Sequence, residues 1–361
     1  MKKNALALIL AVVMVLTLVA CTSAAPAASS GDAAASTDGT KYVGDTKVVY
    51  NADIQEDGVK RLGVAYSTLK YSASQMLCEN YEKNYKEYGF DEFIMLSAEG
   101  DLETQIGQIQ DLVNQKCDVI VVNSIDADGV APACQAAMNA GVAVIAVDRK
   151  IGTDIYYTLE TDNTSAGRDL AMTAADYCYY DGISDGEIHV LMPLGDQSST
   201  ACVERETGFR NTMSFYPWMQ IVGEPAARES SEIYDTVIDF MTQDPSIRVI
   251  YTDGDDGIVP IASALEELGM LRDPSDPDYI YICSVDGADF AIEAIRNGRS
   301  AFCANQRFDL FCTQILKVAQ DYCNGVYVSP TANNVQLSCS MIMQTNVDHL
   351  EDLGVLWALN K

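Results

Sequence analysis

Asp118-Val-Ile-Val-Val-Asn123 and Val142-Ala-Val-Ile-Ala-Val-Asp148 each run through β-branched and apolar residues and stop on a polar one. Residues 128–140 between them read as a helix, stopped by Gly141. Strands without polar alternation, joined through a helix, belong to a parallel sheet covered on both faces. The rhythm extends upstream, with strands at 61–67 and 93–96 and helices at 72–88 and 102–115. It then repeats downstream. Strands are expected at 187–192, 219–223, 248–252, 279–285 and 300–304, with helices at 164–180, 200–213, 230–243, 256–269, 287–297 and 308–324. Two successive sets of similar size predict an α/β protein of two doubly wound parallel-sheet lobes.

Open parallel sheets bind ligands beyond the carboxyl ends of their strands. That rule selects Asn123, Asp148, Arg149, Gly254, Asp255, Asp286 and Asn305, which follow the apolar runs in both halves. A strand-end polar residue can equally cap the next helix, but seven across two lobes point to one cleft.

Composition narrows the function. Of 361 residues, 52 are acidic and 23 basic, a formal charge of -29. A nucleic-acid binder needs the opposite sign. Two histidines, His189 and His349, leave little for a histidine-rich metal site. No Walker-type motif and no G-x-G-x-x-G opening a helix is present. Asp253-Gly-Asp-Asp-Gly257 lacks the later ligands of a calcium loop. Gly182-Ile-Ser-Asp-Gly186 fits a nucleophile-elbow pattern, but it lies between a helix and a following strand, the reverse of the order an elbow needs. No catalytic residue, cofactor or metal is therefore expected, and the chain reads as a non-enzyme.

Lys2 and Lys3 precede an apolar run from Ala5 to Ala20, the pattern of a secretory signal. Leu18-Val19-Ala20-Cys21 resembles the bacterial lipobox, which implies cleavage after Ala20 and lipidation of Cys21. Residues 21–59 then read as the anchor cysteine and a flexible tether rich in small residues. Ten further cysteines include no C-x-x-C pair, and several lie in apolar runs. Free buried thiols are the favoured reading, and export leaves disulfides open.

Leu62-Gly-Val-Ala-Tyr-Ser-Thr68, Ala140-Gly-Val-Ala-Val-Ile-Ala-Val-Asp-Arg149, Thr161-Asp-Asn163, Glu204-Arg-Glu-Thr-Gly-Phe209 and Ser284-Val-Asp-Gly287 together resemble the type I periplasmic sugar-binding family, over roughly residues 60–330. The resemblance implies two lobes, 60–162 with 306–334 and 163–305 with 335–361, joined by a three-crossing hinge. It adds Arg205 to the cleft. It departs where Lys70-Tyr71-Ser72-Ala73-Ser74 replaces the family's aromatic stretch, so Tyr71 or Tyr66 is expected to supply the apolar platform. Replacing Asp148 or Arg205 with alanine is expected to abolish binding and leave the empty protein nearly as stable.

The function expected is a monomeric lipoprotein on the outer face of the cell membrane. It would capture a sugar or polyol and hand it to an ABC permease, or present it to a sensor kinase or chemoreceptor.

Overall fold

The structure is a computed structural model, and it describes residues 40–43, 46–49, 57–182, 188–326, 328 and 332–359. The expected signal segment and Cys21 lie outside these, as do residues 183–186 of the elbow-like pentapeptide. The expected tether is not wholly irregular. Strands β1 (Thr40–Val43) and β2 (Thr46–Val49) pair antiparallel within it. Gly44 and Asp45 separate two Thr-, Lys- and Val-containing runs there, a two-residue hairpin spacing that the prevalence of small residues masks.

The first lobe is a six-stranded sheet. Its strands are β3 (Arg61–Tyr66), β4 (Glu92–Ser97), β5 (Val119–Val122), β6 (Ala143–Val147), β7 (Tyr157–Thr161) and β13 (Asn334–Leu337), in the order β13-β7-β6-β5-β3-β4. All neighbours are parallel. β5 and β6 are buried along their whole length, as the unbroken apolar runs require. Helices α1 (Ser72–Asn84), α2 (Leu102–Asn114) and α3 (Ala127–Asn139) connect the first strands. Asp101 and Asp126 cap α2 and α3 by accepting backbone N–H groups.

The second sheet runs β14-β12-β11-β10-β8-β9. It contains β8 (Ile188–Leu191), β9 (Met219–Gly223), β10 (Ile247–Tyr251), β11 (Tyr281–Asp286), β12 (Phe302–Asn305) and β14 (Ser340–Met343). β14 is antiparallel to β12 and closes one edge. α4 (Asn163–Tyr180), α5 (Thr200–Met213), α6 (Ser230–Gln243), α7 (Ile258–Glu267) and α8 (Asp289–Arg296) cover this sheet. α9 (Phe308–Cys323) returns to the first lobe, where Tyr322 donates to the Gly141 carbonyl at 2.7 Å.

The chain passes between sheets after β7, after β12 and between β13 and β14. The boundary expected at 334/335 therefore falls inside β13, whose residues pair with β7. Its alternating exposure, with Asn334 and Gln336 facing outward, hides this edge strand among polar residues. The ten described cysteines are all unpaired, and eight are buried.

Candidate functional site

The carboxyl ends of both sheets face one cleft of about 870 Å³, its open mouth included. This lies within the usual size range of small-molecule sites, roughly 300–1,000 Å³. Tyr71, Asn123, Asp148, Arg149, Arg205, Gly254 and Asp286 line it, seven of the nine residues chosen from the sequence.

On the first-lobe side, Asn123 ties three strand ends together. Its Oδ1 accepts from the Ser67 hydroxyl at 2.6 Å, and its Nδ2 donates to the Val147 carbonyl at 3.0 Å and Asp148 Oδ2 at 3.3 Å. Asp148 directly follows β6 with φ of 65°, a left-handed backbone uncommon for any residue but glycine. Its Oδ1 is buried without a hydrogen-bond partner. A strained residue presenting an unsatisfied acceptor to a cavity is the signature of a site awaiting a donor. Arg149 beside it donates to the Ser124 carbonyl at 3.3 Å.

On the second-lobe side the protein's own groups hold both Arg205 and Asp286. Arg205 is 5% exposed. Its Nε donates to Asn163 Oδ1 at 2.8 Å, its Nη1 donates to the Asp253 carbonyl at 2.7 Å, and Nη1 lies 3.7 Å from Asp286 Oδ1. Two glycines permit this placement. A Cβ on Gly167 of α4 would lie 1.9 Å from the Arg205 carbonyl oxygen, and one on Gly208 of α5 would lie 2.1 Å from that of Thr164. The two helices therefore touch backbone to backbone and deliver Arg205 to Asn163. Asp286 ends β11 with φ of 122°. Burial pushes its carboxyl well above the usual range, with Arg205 pulling against that shift. Gln306 Nε2 donates to Asp286 Oδ1 at 2.5 Å, while Thr161 of β7 donates to Gln306 Oε1. Gln306 thus links β7 to Asp286 at the second chain crossing.

Two expected residues stand elsewhere. Asp255 is buried behind the cleft wall, where it accepts from Ser284 Oγ at 2.6 Å and from the Gly287 and Ala288 N–H groups, each at 2.7 Å. Burial raises its carboxyl to about 6. It staples the turn after β11 while Asp253 and Asp256 on either side face the cavity. Asn305 points to the opposite face, donating to Ser340 Oγ at 3.0 Å and the Val355 carbonyl at 3.1 Å. Its neighbour Gln306 faces the cleft instead, as the period-two alternation at a strand end dictates.

Apolar walls come from Tyr66, Tyr71, Ile233 and Phe308. Burial raises the phenols of Tyr66 and Tyr71, so both remain neutral donors. Lys150 bridges the lobes, paired with Glu204 and 3.5 Å from buried Glu160. Lys70 and Glu229 make a second bridge at 2.5 Å.

The sequence profile of the periplasmic binding protein domain matches residues 64–326. The chain belongs to the periplasmic binding protein family. This binding protein is 24% identical over 315 residues to the xylitol-binding protein of Mycolicibacterium smegmatis, covering 83% of this chain and 85% of that one. It is 25% identical over 272 residues to the ribose import binding protein of Bacillus subtilis, covering 75% and 84%. A Mycobacterium smegmatis structure in complex with β-D-fucofuranose superposes with a TM-score of 0.74 at 21% identity, over 83% of this chain and 98% of that one. An ABC transporter solute binding protein from Bacillus halodurans with bound myo-inositol gives 0.73 at 20% identity, over 82% and 99%. These structures establish the two-lobed fold. The family is one of binding proteins, in accord with the expectation of a non-enzyme.

Proposed function

We propose that this binding protein captures a neutral sugar or polyol between its lobes and delivers it to an ABC permease, while anchored through Cys21 to the outer face of the cell membrane. The observation that carries the ligand class is the cleft's alternation of carboxylates, guanidinium groups and amides, with Asp148 Oδ1 left free. A hydroxyl group both donates and accepts, so neighbouring hydroxyls satisfy such an alternation in turn. Hydrogen bonds to charged groups contribute roughly 1.5–3 kcal/mol each, enough for a few to select one hydroxyl pattern. The five cleft aspartates outnumber the three arginines, which disfavours an anionic ligand. The names of the relatives, xylitol-binding and ribose import binding proteins, support the same class.

A thermal-shift screen of the chain from Thr22 onward, against pentoses, hexoses, polyols and sugar acids, tests the reading. A ligand at a hundredfold excess over Kd stabilises by about 2.7 kcal/mol. Neutral polyhydroxyl compounds should raise Tm by several degrees and sugar acids should not; the reverse pattern refutes the ligand class. The anchor is tested by Cys21→Ser, which should release the protein from the membrane fraction of the producing cell.

A further inference from the structure

The chain's last described turn reaches the back of the cleft. Trp357, 6% exposed, opens a short 3-10 turn at 357–359. Its indole N–H donates to the Asp286 carbonyl at 2.8 Å. Its ring meets that of Phe308 edge-on, with centroids 5.5 Å apart and planes at 73°. Both residues it touches line the cleft, Asp286 from β11 and Phe308 from the start of α9, on either side of the second crossing. The Asp286 carbonyl also accepts the Gln306 N–H at 3.1 Å, so Trp357 and Gln306 share one acceptor. Leu356 beside it is fully buried against Ile292, Ile295 and Ile342, which moors the turn to the second lobe.

We infer that Trp357 is a positioning residue for the cleft: it holds the Asp286 backbone in its left-handed conformation and seats the Phe308 ring against the ligand space. A φ of 122° is costly for an aspartate and persists only where its surroundings over-determine it. Trp357 supplies that constraint from outside the cavity, without touching ligand. The tail of the chain thereby sets the affinity of a site whose other residues lie far upstream.

The inference rests on the cleft proposed above, and the test separates the two. Trp357→Phe keeps an aromatic ring against Phe308 while it deletes the N–H donor and the second ring of the indole. Calorimetric titration with xylitol, D-ribose and myo-inositol should give a Kd about five- to tenfold weaker than wild type for whichever the wild type binds. In an Asp286→Ala background the same substitution should change Kd less than twofold, because the group it positions is gone. Leu353→Ala, at an exposed position nearby, serves as the reference for a merely disturbed tail. Hydrogen exchange gives a readout that needs no ligand. Trp357→Phe should speed exchange of the Gly287 and Ala288 amides severalfold and leave those of residues 119–123 unchanged. Equal Kd values in wild type and Trp357→Phe, additive losses in the double variant, or unaltered exchange at 287–288 would each overturn the inference. A wild type that binds none of the three compounds counts against the ligand class proposed above, and the exchange experiment then decides the role of Trp357 alone.

Discussion

The two walls of the cleft are built on opposite principles. On the second-lobe wall, Arg205 spends its donors on Asn163 and the Asp253 carbonyl and faces Asp286, which Gln306 also holds. On the first-lobe wall, Asp148 has one modest contact from Asn123 and a buried oxygen with no partner. The second-lobe wall holds its charged groups without ligand, each met by the protein's own groups. The first-lobe wall reserves part of its hydrogen-bonding capacity. A residue that lines the cleft can therefore be structural as well, and only its partners reveal which.

That difference is open to measurement, with the largest effect at Arg205. Arg205→Ala should abolish binding and also destabilise the empty protein by about 3–5 kcal/mol, since Asp286 is left buried without its cation. This revises the expectation that arginine and aspartate would behave alike; the 5% exposure of Arg205 is the reason. Chemical unfolding of the empty variant reads the loss directly. Stability within 1 kcal/mol of wild type would erase the contrast between the walls.

Gly167→Ala comes next. Its new methyl group would collide with the Arg205 carbonyl and prise α4 from α5, at about 1–3 kcal/mol. Affinity should fall with it because Arg205 moves, and an unchanged Kd would show that Arg205 is not placed by this helix contact.

Asp148→Ala should cost the empty protein less than about 1 kcal/mol, because little is bonded to its carboxylate and one buried oxygen has no partner to lose. Its ligand affinity should nevertheless fall about thirtyfold or more.

The smallest effect concerns pH. Burial lifts the Asp118 carboxyl to about 6, while it accepts the Arg61 N–H at 2.7 Å. An acid whose folded pKa exceeds its unfolded one takes up protons on folding between the two values. Its contribution to stability therefore grows as pH falls from above 6 towards 4. Relative to Asp118→Asn, wild type should gain Tm over that interval, and a parallel pair of Tm–pH curves would contradict the assignment.

Much of this molecule is legible in its sequence. β5 and β6 are apolar throughout because both of their faces are covered, so period and composition agree. The strand ends at Asn123, Asp148 and Asp286 follow at once. β7 and β13 are not legible. β7 is five residues of mixed polarity, and β13 is an edge strand with polar residues facing outward. Within the site, the sequence leaves an ambiguity of one or two residues where several polar side chains adjoin. Asp253, Asp255 and Asp256 have the same chemistry, and only the backbone path turns the middle carboxylate inward to the Gly287 and Ala288 amides. Asn305 and Gln306 are both amides at a strand end, and pleat alternation decides between them. Trp357 lies 71 residues beyond Asp286 in the chain, and no local pattern announces a contact of that range.

The central claim is that Asp148 and Arg205 close on one neutral polyhydroxyl ligand. Calorimetric titration of xylitol, D-ribose and myo-inositol into the chain from Thr22 onward, in parallel with Asp148→Ala, tests it most directly. Wild type should show saturable one-to-one binding of at least one compound, lost in Asp148→Ala, with the two empty proteins melting together. Binding that survives the substitution unchanged would place the ligand elsewhere and contradict the claim.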